Sequence, residues 1–360
     1  MFQGILAGDL ERNPPNPSGS EQKWERTKAP KARFIPAQGI ALGTNPAKPR
    51  AESPTYRIAR RQLTSRIIQL PSIAILETHI KEKRMRLYQM ADAVRYEMMN
   101  TEELRETFLL EGLFQPGEIE FAYVDLDRTV IGSAVPVSEE LQLETEPELR
   151  AEYFLERREL GVFNVGGPGT VVVDGKSFGL DKLDVLYVGR GSRDVVFSSK
   201  DGKNPANFYL LSYPAHAEYP TAMVKFKDLK GLELGSLETC NKRTIYKAIY
   251  KDGIKSCQLV MGFTLLATGS NWNTMPPHTH MRRSEVYFYF DVDPAHRVLH
   301  LMGPPDATSH LVIADKEVVV SPGWSIHAGV GTKNYGFCWG MGGENQAYDD
   351  MDPVTIADLR

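Results

Sequence analysis

From about residue 120 to the C-terminus, apolar residues fall in short runs of three to five rather than in the three-to-four-residue rhythm of helices. The runs are Phe121–Val124, Val162–Val165, Thr170–Val173, Val185–Val188, Val195–Ser198 and Phe208–Ser212. After a break they resume at Val286–Phe290, Val298–Met302, His310–Ile313, Val318–Val320 and Tyr335–Trp339. Gly166-Gly167, Asp174-Gly175 and Gly189-Arg190-Gly191 punctuate the first group, and Asp174-Gly175 is a hairpin signal. Evenly spaced short strands predict sandwiches or barrels, not a βαβ sheet. One helix is predicted: Thr101 as N-cap, Glu102 and Glu103 in the first turn, then Phe108, Leu109, Leu110 and Leu113 on an apolar face.

The two groups of strands predict two β domains, at 85–235 and 236–360. A weak repeat supports this, since Arg157-Arg158-Glu159 and Arg282-Arg283-Ser284-Glu285 each lead into an apolar strand. Residues 1–84 differ in kind. Eight prolines lie within the first 60 residues, and no hydrophobic period is sustained there, so a disordered extension is predicted. It holds 15 Lys or Arg against 7 acids, a charge of +8, whereas the remainder holds 27 against 39, a charge of −12. An Arg-rich, acid-poor segment of this kind reads as a transit peptide or as a mis-assigned start, with Met85 the initiator.

Composition narrows the class. The 360 residues carry a net charge of −4, 42% hydrophobic and 24% charged residues, a globular balance with no global attraction to nucleic acid or anionic membrane. Cys240, Cys257 and Cys338 show no paired spacing, which suits a reducing, cytoplasmic compartment.

Six of the eight histidines lie between His278 and His327. In an extended segment His278 and His280 project from one face, which is metal-ligand spacing. Glu285 has the opposite parity and joins them only if the chain turns around 282–284 and returns on a neighbouring strand. His327 follows the Ser321-Pro322-Gly323 turn, and completes a three-nitrogen, one-carboxylate set suited to zinc, manganese, iron or nickel. His296, His300 and His310 are read as structural.

The motifs then meet a family. Tyr153 to Val162, Leu186-Tyr187-Val188-Gly189, Trp272-Asn273-Thr274-Met275-Pro276, His278-Thr279-His280, Glu285 to Phe290, Trp324-Ser325-Ile326-His327 and Gly343-Glu344-Asn345-Gln346 resemble the 5-keto-4-deoxyuronate isomerases of the cupin superfamily. The resemblance runs from about Met85 to Arg360 and implies a mainly β bicupin of two barrel or jelly-roll domains with a few short helices. It implies Zn2+ on His278, His280, Glu285 and His327, a homo-hexamer, and conversion of an aldehyde-ended uronate to a 2-ketone in pectin breakdown. Aligning Glu159 with Glu285 sets Glu152 and Phe154 opposite the histidines, so no metal is expected in the first domain. For the implied reaction, Glu344 is the candidate base and Arg282 or Arg283 the carboxylate partner, with Asn273, Thr274 and Lys333 as further substrate contacts. An iron-dependent cupin dioxygenase and a non-catalytic sugar-binding bicupin are the rival readings.

Overall fold

The computed structural model describes residues 85–344 and 347–360. The extension at 1–84, and Asn345 and Gln346 of the motif at 343–346, lie outside the described residues. The described chain is mainly β and contains two sandwiches, each a seven-stranded sheet facing a four-stranded one.

In the first, the large sheet runs in the order Arg86–Tyr88, Ile119–Val124, Thr129–Ala134, Phe208–Pro214, Arg158–Asn164, Val185–Val188, Ala222–Val224. In the second the order is Gly231–Leu234, Arg243–Ile249, Val260–Leu266, Gly336–Gly343, Arg283–Phe290, Val318–Ser321, Leu109–Leu110. The small sheet of the second sandwich contains Trp272–Asn273, Ile326–Gly331, Val298–Gly303 and Ser309–Ile313. All pairings between strands of the two sandwiches are antiparallel except Arg86–Tyr88 with Ile119–Val124.

Three apolar clusters hold this together. One fills each sandwich, and the third lies between the two large sheets, joining Phe163 and Tyr209 to Phe263, Phe288 and Phe290. Phe163 stacks on Phe263 at 4.9 Å, and Tyr209 on Phe288 at 4.4 Å. Strands at this seam are buried on both faces, so they read as unbroken apolar runs rather than as alternation. Arg283–Phe290 is buried at every residue: Tyr287 and Tyr289 face the second sandwich, while Val286, Phe288 and Phe290 face the first.

The helix differs from its prediction. It spans Thr101–Phe108 and is capped by Asn100, whose side chain accepts from the Glu103 amide at 3.0 Å while Glu103 accepts from the Asn100 amide at 2.9 Å. At Leu109 the chain becomes extended because Leu109–Leu110 completes the edge of the second large sheet, opposite Val318 and Val319. This helix and strand lie in sequence between Arg86–Tyr88 and Ile119–Val124 of the first sandwich and yet pack with the second, as does Gly231–Leu234, so the structural halves interleave across the division at 235 and 236.

Glu159 is also placed otherwise than the repeat suggested. In Arg158–Asn164, Leu160 and Val162 face the first sandwich's interior, so Glu159 points the other way, into the seam. There its carboxylate accepts from the amides of Cys257 (2.6 Å), Gln258 (2.8 Å) and Leu259 (2.7 Å) and from the Tyr187 hydroxyl (2.8 Å). Glu285 faces inward on its own strand, so its counterpart is Leu160, and Glu159 corresponds to Ser284, which reaches across the same seam to Asp127 at 3.1 Å from its amide.

Candidate metal centre

Three segments of the second sandwich bring the donors together. His278–Thr279 is a two-residue strand paired with Asp352–Pro353, and the His280 amide donates to the Gly323 carbonyl at 3.1 Å. The exposed turn at Met281 and Arg282 carries the chain into Arg283–Phe290, whose inward parity presents Glu285. His327 enters from Ile326–Gly331 in the facing sheet.

The ligand atoms of His278, His280, Glu285 and His327 all lie within 4.8 Å of one another. His278 Nε2 is 3.1 Å from His280 Nε2 and 3.0 Å from His327 Nε2. Glu285 Oε2 is 2.9 Å from His280 Nε2 and 3.0 Å from His327 Nε2. This donor set fits a divalent ion. Ligands each about 2.1 Å from one ion and about 90° apart would lie about 3 Å from each other. His280 Nδ1 is 2.7 Å from the Asp350 carbonyl, an acceptor only, so that nitrogen carries the proton and Nε2 keeps its lone pair for the cluster. His327 Nδ1 lies 3.3 Å from Ser321 Oγ.

Burial sets the charge states. It holds His278 down to about 2, with His327 beside it adding to the effect, so the imidazole is neutral and ready to ligate. Burial works to raise the Glu285 carboxyl, but His327 and His280 outweigh it and leave it well below the usual carboxylate range.

His300, next to this cluster, gives a pH test that does not involve a ligand. It is fully buried, 2.7 Å from the Tyr289 hydroxyl, and burial holds it down to about 3. The unfolded chain takes up a proton near pH 6.5 and the folded state does not, so the stability His300 contributes is present above that pH and lost as pH falls from 6.5 toward 3. Between pH 7 and pH 5 this loss is about 2 kcal/mol. Urea unfolding of chelated protein at both pH values should show it, and His300→Asn should remove that share; equal slopes in the two proteins would count against it.

A cavity of about 220 Å³ opens onto the donors. Thr274 lines it, with Oγ1 3.0 Å from the Tyr287 hydroxyl, and so do Trp339, Tyr348 and Arg243. The other sequence candidates lie elsewhere. Asn273 is buried behind the wall, donating to the Tyr335 hydroxyl at 2.7 Å. Lys333 pairs with Asp293 at 2.7 Å, half-exposed. Arg282 pairs with Asp350, 2.9 Å from its Nε, and Arg283 donates to the carbonyls of Ala347 (2.5 Å) and Asp350 (3.2 Å). Glu344 is exposed in a neighbouring groove that it shares with Arg282 and Arg283.

Arg243 was missed. It is the one Lys or Arg among the residues lining this cavity, it forms no ion pair among the described residues, and its Nη1 donates to the Asn241 carbonyl at 2.9 Å. The signal was present in Arg243-Thr244-Ile245, where Arg243 shares strand parity with Ile245, another cavity residue.

Comparison with known proteins gives the family of the chain. The family model described as KduI/IolB matches residues 113–356. The 4-deoxy-L-threo-5-hexosulose-uronate ketol-isomerase of Caldicellulosiruptor bescii is 51% identical over 266 residues, covering 74% of this chain and 96% of its own. Its namesake from Opitutus terrae is 49% identical over 278 residues, covering 77% and 100%. A crystal structure of an IolB-like protein from Salmonella typhimurium superposes with a TM-score of 0.55 at 12% identity, over 69% of this chain and 97% of that one, a likeness of fold.

Proposed function

Because this chain belongs to the KduI/IolB family, and is an enzyme of the ketol-isomerase type, we propose that it converts 4-deoxy-L-threo-5-hexosulose uronate to 3-deoxy-D-glycero-2,5-hexodiulosonate with one Zn2+ per chain. The observation that carries the reading is the convergence of His278, His280, Glu285 and His327 beside a cavity that three of them line together with a lone arginine. A bound divalent ion would supply Lewis-acid polarisation of the sugar's carbonyl and hydroxyl oxygens. The three imidazoles and Glu285 would hold that ion. Arg243 binds the substrate carboxylate, because a half-buried guanidinium without an acidic partner is matched by a planar anion. Tyr348, pushed up to about 12 by burial, and Tyr287, pushed higher, stay protonated and can donate to sugar oxygens. Trp339 walls the cavity.

The test is turnover of the uronate by the purified, zinc-loaded protein, followed by NMR for loss of the aldehyde hydrate and gain of the C2 ketone. Chelator-sensitive conversion supports the reading, and no conversion by protein shown to hold its ion sinks it. Arg243→Ala should raise KM on the order of tenfold to a hundredfold and leave kcat within a few-fold, the pattern of a contact equal in ground and transition states. An unchanged KM would remove Arg243 from the carboxylate site.

We also take the enzyme to be a cytoplasmic homo-oligomer, a hexamer by the family resemblance. Three free cysteines suit the compartment. The exposed edge strand Gly231–Leu234, with Leu232 and Leu234 on the surface near Leu237, suits a subunit contact. Among the described residues no helix is long and apolar enough to cross a membrane.

A further inference from the structure

The first sandwich has its own cavity, of about 390 Å³, at the strand end that corresponds to the metal centre. In the second sandwich Arg283, two residues before Glu285, pairs with Gly343; in the first, Arg158 pairs with Pro214 at the equivalent place. This cavity is lined by four guanidinium groups, on Arg128, Arg157, Arg158 and Arg190.

Arg158 is only 7% exposed. Its Nε donates to Ser212 Oγ at 3.0 Å, and its Nη2 to the carbonyls of Arg128 (2.6 Å) and Ser212 (2.9 Å). Nη1 makes no hydrogen bond, and no carboxylate pairs with the group, among the described residues. Burial pulls its pKa down to about 10, the mark of a desolvated cation lacking a counter-ion. Arg190 donates from Nε to the Glu156 carbonyl (3.1 Å) and from Nη1 to the Ala215 carbonyl (3.3 Å), while its Nη2 makes no hydrogen bond and the group no ion pair among the described residues. Only Arg157 has one, with Glu156 at 3.5 Å.

Arg128 is exposed at the mouth, at the end of a strained turn. Asp127 and Arg128 both have left-handed backbones, with φ of 50° and 52°, a conformation that costs side-chain-bearing residues energy. Asp127 is tied to the second sandwich by the Ser284 hydroxyl at 2.5 Å, so the turn is held in place from across the seam.

One acid lines the cavity. Glu148 has a buried Oε2 with no hydrogen-bond partner, an acceptor waiting for a donor. Tyr123 and Phe154 supply an apolar wall. Clustered guanidiniums call for an anion, the idle carboxylate oxygen calls for a hydroxyl, and the rings suit a C–H face. A phosphate would satisfy the arginines but would place its charge beside Glu148.

We propose that this cavity binds a small polyhydroxy carboxylate, with its carboxylate on Arg128, Arg158 and Arg190 and a hydroxyl donated to Glu148, as a second site separate from the metal centre. The test is calorimetric titration of the full chain with D-gluconate, D-glucuronate and D-galacturonate, with glucitol and inorganic phosphate as controls. It is run on a background of His278→Ala with Arg243→Ala, which removes both a donor and the lone arginine of the metal cavity, and on that background combined with Arg128→Ala, Arg190→Gln or Glu148→Gln. The expected result is one equivalent of a sugar acid bound to that background, weakened at least tenfold by Arg128→Ala or Arg190→Gln with melting temperature unchanged, and no glucitol binding. Glu148→Gln should weaken the sugar acid and strengthen phosphate. Absence of binding by all three acids, equal binding when Arg128 and Arg190 are replaced, or phosphate binding tighter than every sugar acid would overturn the proposal. Arg128, which is exposed, and Arg190, which is half-buried, are chosen so that the outcome does not depend on the folding of a variant at buried Arg158.

Discussion

His278→Ala should lower turnover on the order of 10³-fold and reduce bound metal from about one equivalent per chain to a small fraction of that. His278 Nε2 lies about 3 Å from both neighbouring imidazole nitrogens, so its removal opens one corner of the donor set and leaves three ligands. A Lewis acid contributes several kcal/mol of transition-state stabilisation, and each 1.36 kcal/mol corresponds to about tenfold in rate. Metal analysis of the purified variant and the NMR assay read the two effects separately. Full activity with full metal content would show that His278 is not a ligand. Full metal with lost activity would move its role from holding the ion to contacting the substrate. Glu285→Gln should behave similarly, since the amide keeps the shape and loses the charge that the two neighbouring histidines now stabilise.

Glu159→Ala should destabilise the fold by roughly 3–5 kcal/mol, the largest effect expected from a residue outside the metal cavity. The carboxylate is completely buried and takes three consecutive amides from Cys257, Gln258 and Leu259, nearly a hundred residues away, as well as the Tyr187 hydroxyl. Truncation strands all four donors at a buried site, and each orphaned donor costs about 1–3 kcal/mol before relaxation. Glu159→Gln retains one acceptor oxygen but turns its NH2 toward the same amides, so an intermediate loss is expected. Urea unfolding followed by circular dichroism on chelated protein is the measurement, because a bound ion would mask the difference. A loss below about 1 kcal/mol for Glu159→Ala would mean that the two sandwiches are held by their aromatic seam alone.

Much was determined by the chain locally. Short apolar runs set off by Gly-Gly and Asp-Gly specify antiparallel sheets whatever they pack against, because strand period and turn chemistry are properties of a few adjacent residues. The donor types around His278 were legible for the same reason: two residues apart on an extended segment share a face. The strand Val260–Leu266 went unread although it is as apolar as its neighbours, and Thr129–Ala134 was hidden by the small residues Gly132, Ser133 and Ala134.

What only the tertiary structure decided is which buried face is which. Alternation separates Glu159 from Leu160 and Glu285 from Val286, but with a sheet packed on both sides each face is apolar, and the sequence carries no mark that tells a barrel interior from a seam. So Glu159 looked like a counterpart of Glu285 and proved to be a tie between sandwiches. For the same reason the arginines beside the histidines, Arg282 and Arg283, turn to Asp350 and to backbone carbonyls, while Arg243, far off in sequence, lines the cavity. The helix ends at Leu109 because a sheet edge formed by Val318–Ser321, some two hundred residues later, offers its backbone a better set of hydrogen bonds than another helical turn.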